Sequence, residues 1–158
     1  MKLDRIPTAI DVFSGCGGLT LGLALAGFRV VAGIEIDIAA ATAFRVNHPT
    51  VELLMQDIRY IKGSELLAIA DMKAGDLDLL AGGSPCQGFS RMRTRNGGRT
   101  VADERNDLVL EFTRLCDELA PKTILFENVP GLAQDALFTQ MKHRLSEKGY
   151  SLKPRVLN

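Results

Sequence analysis

The sequence predicts an α/β fold: a mostly parallel sheet with helices on both faces. Three observations carry this. Short apolar, β-branched runs alternate with longer stretches of helical periodicity along the whole chain. Glycine or proline marks most of the boundaries between them. Polar or glycine-rich segments follow four of the apolar runs, where the carboxyl ends of parallel strands would converge on one cleft.

The elements follow in order. "AIDVF" (9–13) is short, β-branched and ends in a glycine-rich turn, which predicts a buried first strand. "LTLGLALAGF" (19–28) has helical spacing that stops at Gly27, and "RVVAGIEID" (29–37) reads as the second strand. "IAAATAFRVNH" (38–48) is a helix ended by Pro49, which lacks the N–H needed to continue it. A short strand is expected within "VELLMQDI" (51–58), a helix across 64–72, and a strand in "DLDLLAGG" (76–83). "DERNDLVLEFTRLCDELA" (103–120) is an amphipathic helix stopped by Pro121, followed by the strand "KTILFENV" (122–129). "ALFTQMKHRLSEKG" (136–149) is a further helix, and "YSLKPRVLN" (150–158) begins what reads as one more strand. With neither repeat nor linker, 1–158 reads as a single domain.

Composition narrows the function classes. The 158 residues are 46% hydrophobic and 24% charged, ordinary values for a globular domain. No apolar run approaches a bilayer span and the first twenty residues do not form a secretory signal, so a cytoplasmic location is expected. Cys16, Cys86 and Cys116 are odd in number and scattered, which suits free thiols in a reducing compartment. No C-x-x-C pair exists, and His48 and His143 lie far from the cysteines, so no metal site is expected. The net charge of zero is uninformative, but Arg91, Arg93, Arg95 and Arg99 crowd together with no acid among them.

Candidate site residues sit after the strands. Phe13-Ser14-Gly15-Cys16-Gly17-Gly18 permits a sharp turn and close approach of backbone to a ligand. Thr20 takes the third position of a G-x-G-x-x-G pattern, and Glu35 lies 20 residues beyond Gly15, where an acid meets ribose hydroxyls. A nicotinamide-dependent oxidoreductase is the alternative this loop admits. Cys86 follows Pro85 between glycines, a setting open to a nucleophile on a rigid turn or to an inert thiol, the commoner state of a lone cysteine. Glu127 closes an apolar run, a position that would desolvate it and suit it to donate a proton near neutral pH. Asn128 adds an amide beside it.

Together these residues resemble the DNA (cytosine-5) methyltransferases. "DVFSGCGGLTLGL" is similar to that family's first motif, "IEID" to its second and "QDI" to its third. "GGSPCQGFS" resembles the nucleophile motif, "DERNDLVLEFTR" the fifth and "ENVPGL" the sixth, all in family order. The oxidoreductase alternative leaves "SPCQ" and "ENV" unexplained.

The resemblance implies a Rossmann-like S-adenosylmethionine-dependent methyltransferase fold and transfer of methyl to cytosine C5 in double-stranded DNA, leaving S-adenosylhomocysteine. It implies Cys86 as nucleophile and Glu127 at cytosine N3. It places Phe13, Glu35, Ile36, Asp57 and Ile58 around the adenosine; Gly15, Gly17, Gly18 and Leu19 by the methionine part; and Pro85 and Leu108 on the rest of the cofactor. Ser90, Arg91, Arg93, Arg95, Asn128 and Val129 would face DNA, the arginines on phosphates. Ile36 departs from the aromatic common at its position. The chain ends at "KPRVLN", where the family continues into a Gln-x-Arg-x-Arg motif and a target-recognition region. The expectation is therefore a core incomplete at its C-terminus and inactive alone, with a C-terminal complementing chain as candidate partner. A non-catalytic S-adenosylmethionine-binding module is the alternative. RNA is a lesser substrate candidate, and association with the nucleoid is expected if the source is bacterial.

Overall fold

The computed structural model describes residues 5–85 and 108–157. Five strands form one sheet in the order β3-β2-β1-β4-β5: β1 Thr8–Val12, β2 Arg29–Ile34, β3 Glu52–Leu54, β4 Leu79–Gly83 and β5 Thr123–Glu127. Every pairing is parallel. The helices are α1 Gly18–Leu25, α2 Ile38–Asn47, α3 Gly63–Ala70, α4 Leu108–Leu119 and α5 Ala136–Glu147. None among the described residues is long and apolar enough to cross a membrane.

β1 is flanked by β2 and β4 and is buried along its whole length, which is why its sequence is almost continuously apolar. Side-chain alternation then assigns the helices to two faces. Ala9, Val30, Leu79 and Ala81 pack with Leu23 of α1 on one face. On that side Ala41 and Phe44 of α2 cover Leu53. Ile10, Val12, Ala32, Ile34 and Leu80 point the other way, against Leu66 of α3, Phe112 and Leu115 of α4, and Met141 and Leu145 of α5. The apolar stripe of α4 is the strongest: Leu108, Val109, Phe112, Leu115, Cys116 and Leu119 are all buried. Burial pushes the Cys116 thiol up, so this cysteine is a core residue and an inert one.

The amino ends of the strands are tied by a charge network away from the cleft. Asp78 accepts two hydrogen bonds of 2.7 Å from Arg5, one from the Thr8 N–H and one from Lys122. The Arg5 guanidinium, aided by the other donors, holds this carboxyl far below the usual carboxylate range.

Most ends shift by a few residues, and two elements differ more from expectation. β2 ends at Ile34 rather than continuing to 37, because the Glu35 carboxylate takes the N–H groups of Ile36 and Asp37 at 2.8 and 2.7 Å. Asp37 then caps α2 by accepting from the Ala40 N–H at 2.8 Å. The further strand expected at 150–158 does not form over 150–157: those residues pair with no strand of the sheet. Tyr150 and Leu152 instead pack against the core, and the Tyr150 hydroxyl donates to the Pro121 carbonyl at 2.5 Å. Apolar character alone does not make a strand; a ladder partner is needed.

Candidate active site

The strand order reverses direction between β1 and β4, and in open parallel sheets the crevice beyond such a switch point holds the ligand. Register fixes what stands there. Val12 pairs with Ile34 and Gly82, Ile34 with Leu54, and Gly83 with Glu127. The residues that follow these positions therefore leave the sheet along one edge: Phe13, Glu35, Met55, Ser84 and Asn128.

The glycine loop after β1 is a defined structure. Phe13 has φ +60°, a left-handed conformation that costs a non-glycine residue about 1–2 kcal/mol. Such strain persists only where surrounding contacts enforce it, and here Ser14 N–H and Oγ both donate to the Ile34 carbonyl, at 2.9 and 3.2 Å. Gly15 and Gly17 follow at φ +56° and +95°, and the Gly15 N–H donates to Glu35 Oε2 at 2.8 Å. A Cβ added at Gly15 or Gly18 would meet open space, so this side of the loop is a cradle. Leu19 is half-buried against the α1 face of the sheet.

Beneath the loop lies a residue sequence reasoning missed. Asp11, fully buried in β1, accepts from the Thr20 hydroxyl at 2.6 Å, while its Oδ1 has no partner among the described residues. Burial pushes its carboxyl up to about 6. The signal available in sequence was a charged residue inside an otherwise apolar strand.

The other residues fall at successive points along the edge. Glu35 closes β2 with its carboxylate shared among three backbone N–H groups. Ile36 is 62% exposed. Asp57 caps a 3₁₀ turn over Ile58–Tyr60 by accepting from the Arg59 N–H at 3.0 Å, and Ile58 is buried in the core. Arg114 of α4 pins that turn, donating to the Ile58 and Ile61 carbonyls at 2.9 and 3.0 Å. Leu108 is also buried at the start of α4.

The carboxyl ends of β4 and β5 are linked by Asn128, whose Nδ2 donates to both the carbonyl and the Oγ of Ser84 at 3.0 Å. Its Oδ1 accepts from the Val129 N–H, so the amide is fixed at both ends. This tether, not foreseen from sequence, holds the start of the segment that leads through exposed Pro85 to residue 86. Glu127 stands in β5 opposite Gly83, and its side chain is exposed. The desolvation expected from its apolar neighbours is therefore not present: alternation turns Ile124 and Phe126 to the core and Glu127 away from it. Cys86, Ser90, Arg91, Arg93, Arg95 and Arg99 lie outside the described residues. Among the described residues, no group of three or more His, Cys, Asp or Glu is placed to share a metal ion.

Comparison with known proteins decides between a nucleotide-dependent oxidoreductase and a methyltransferase. The family profile for C-5 cytosine-specific DNA methylases matches residues 8–158. The chain belongs to this family. The type II methyltransferase M.XorII of Xanthomonas oryzae pv. oryzae is 41% identical over 138 residues, which are 87% of this chain and 30% of that protein. M.AquIA of Picosynechococcus is 34% identical over 160 residues, covering 94% of this chain and 63% of the relative. The crystal structure of a protein assigned as a DNA modification methyltransferase encoded within an E. coli prophage superposes with a TM-score of 0.75 at 35% identity. It covers 89% of this chain and 38% of that one. This C-5 cytosine methylase chain thus spans less than two thirds of each of these relatives. Its fold is that of the Rossmann-like methyltransferases.

Proposed function

We propose that the chain is the cofactor-binding and nucleophile-bearing core of a DNA (cytosine-5) methyltransferase of the restriction-modification type. The observation that carries this reading is the single sheet edge on which the glycine loop, Glu35, the Ser84–Pro85 lead into Cys86, and Glu127 all emerge. The open cradle over Gly15 and Gly18 suits the methionine part of S-adenosylmethionine, with Phe13, Glu35, Ile36, Asp57 and Ile58 toward its adenosine. Leu19, Pro85 and Leu108 would complete the lining. When bound, S-adenosylmethionine supplies an electrophilic methyl group for cytosine C5.

The chain's own residues do the rest. The target cytosine is taken out of the duplex stack, since its C5–C6 edge is not open to attack there. The Cys86 thiolate adds to C6, and the Glu127 carboxyl, carrying its proton, donates to N3, where negative charge develops. The C5 proton then passes to solvent water, its bonding pair restores the C5–C6 double bond, and the C6–S pair leaves on sulfur, regenerating the Cys86 thiolate. The exposure of Glu127 leaves it accessible to a base. Asn128 holds Ser84, so it keeps the two chemical segments in mutual register. Ser90, Arg91, Arg93, Arg95 and Val129 are assigned to DNA, the arginines to phosphates.

The chain by itself is expected to transfer no labelled methyl group to DNA, and to require a complementing chain that carries the remainder of a family member. With that chain and S-adenosylmethionine supplied, the protein should form a covalent adduct on DNA containing 5-fluorocytosine, and Cys86→Ser should form none. Adduct formation by the serine variant would remove Cys86 from the role of nucleophile. Methyl transfer by the chain alone would end the need for a partner.

A further inference from the structure

The glycine loop has a second side, packed against the end of α2, that the reading above leaves without a role. Two successive residues close that helix. Asn47, its last residue, donates from Nδ2 to the Cys16 carbonyl at 2.9 Å. His48, its C-cap, places Nε2 at 2.9 Å from the Gly17 carbonyl. A carbonyl has no proton to give, so Nε2 is the nitrogen that carries the hydrogen in this contact. The ring is supported by Phe44, one turn back, at 4.9 Å between centroids. Its fit to the loop is tight enough that any side chain at position 17 would overlap it.

Peptide geometry converts this into an effect on the open side. In a trans peptide the C=O and the next N–H point in opposite directions. Holding the Gly17 carbonyl toward α2 therefore turns the Gly18 N–H away from α2. The Gly17 carbonyl also accepts from the Leu21 N–H at 2.9 Å, so the same contact orients the first turn of α1. The loop is thus held at three successive residues, Gly15 by Glu35, Cys16 by Asn47 and Gly17 by His48, while a Cβ at Gly15 or Gly18 would still meet open space.

We propose that Asn47 and His48 are positioning residues of the cofactor site, acting through the backbone of the glycine loop rather than by touching the ligand. The inference rests on the assignment of that loop to S-adenosylmethionine. By holding two consecutive carbonyls, they keep the loop in one conformation before the ligand arrives, so less ordering is required on binding.

Three variants of the full chain test this: Asn47→Ala, His48→Phe, which keeps a ring against Phe44 but no donor, and His48→Gln, which restores an N–H donor. Calorimetric titration with S-adenosylmethionine should show affinity falling about tenfold or more in the first two and largely recovering in the third. Amide hydrogen exchange, read without ligand, should speed up about tenfold across 15–19 in the first two while the amides of β1 and β4 keep their rates. Unchanged loop exchange in both Asn47→Ala and His48→Phe overturns the proposal. So does unchanged affinity in those variants when the wild-type chain binds. If the wild-type chain does not bind S-adenosylmethionine, it is the cofactor assignment that fails, and loop exchange alone then decides whether the two residues set the loop.

Discussion

Gly82→Ala should lower stability by about 3 kcal/mol, the upper part of the range for overpacking a core position. The residue lies in β4 between Val12 of β1 and Phe126 of β5. A Cβ there would fall 2.5 Å from the Val12 carbonyl oxygen and 2.6 Å from Val12 Cγ2, with Phe112 Cε2 at 3.3 Å. Relief by a rotamer change is impossible for the first contact, because a backbone atom is in the way. β1 cannot shift either, since it is hydrogen-bonded to strands on both sides and buried throughout. For a chain of this size, the loss corresponds to roughly 6–12 °C in the thermal midpoint. Gly22→Ala is the matching control. That glycine lies within α1, its Cβ would meet open space, and alanine there should raise stability by up to about 1 kcal/mol through helix propensity. Thermal and urea unfolding of the two variants beside the wild type gives both signs in one experiment. Equal stability of Gly82→Ala and wild type would mean that β1 and β4 are not packed as closely as described.

The second large effect is a dependence on pH carried by Asp11. In the folded chain its carboxyl is pushed up to about 6 from its usual 3.8, because burial opposes the charge more than the Thr20 hydrogen bond favours it. The folded state therefore holds the proton over a window in which the unfolded chain has released it. The stabilising contribution is complete below about pH 4, declines as pH rises toward 6, and is gone above it. The size is about 3 kcal/mol, from roughly two pH units at 1.36 kcal/mol each. Asp11→Asn keeps an oxygen for Thr20 and cannot ionise. The stability difference, wild type minus variant, should fall by about 2.4 kcal/mol between pH 4 and pH 7, most of the full span. Taking the difference cancels the titrating groups not coupled to Asp11, including Asp78, whose depressed carboxyl acts in the opposite direction at low pH. A difference that stays flat across the window would show that Asp11 is not buried in ionisable form. The unpartnered Oδ1 explains why the cost is large: among the described residues no donor compensates that oxygen when the charge appears.

Local pattern carried the fold a long way. β1, β4 and α4 were legible because their burial is set by their own composition: a mostly apolar run for central strands, a periodic stripe for the helix. The end of β2 was not, since it depends on what the Glu35 carboxylate binds. The candidate site was legible as a set of motifs in family order, and the family was correctly identified from them. The surroundings of its members were not legible. Glu127 was expected to be desolvated because its neighbours in sequence are apolar, yet in a strand the neighbours in sequence face the other way.

The sequence by itself determined the alternation of strands and helices, the glycine loop after β1, and the membership of a methylase family. These are local quantities, set by propensity, by period and by the identity of adjacent residues. The tertiary structure alone decided that Asn47 and His48 reach back across about thirty residues to the glycine loop, that Asn128 holds Ser84, and that Asp11 lies buried beneath α1 with the Thr20 hydroxyl on one carboxyl oxygen. Those contacts exist because strand order, with β1 at the centre and β4 beside it, brings distant segments to one edge of the sheet. No periodicity within a single segment encodes which segment will lie next to it.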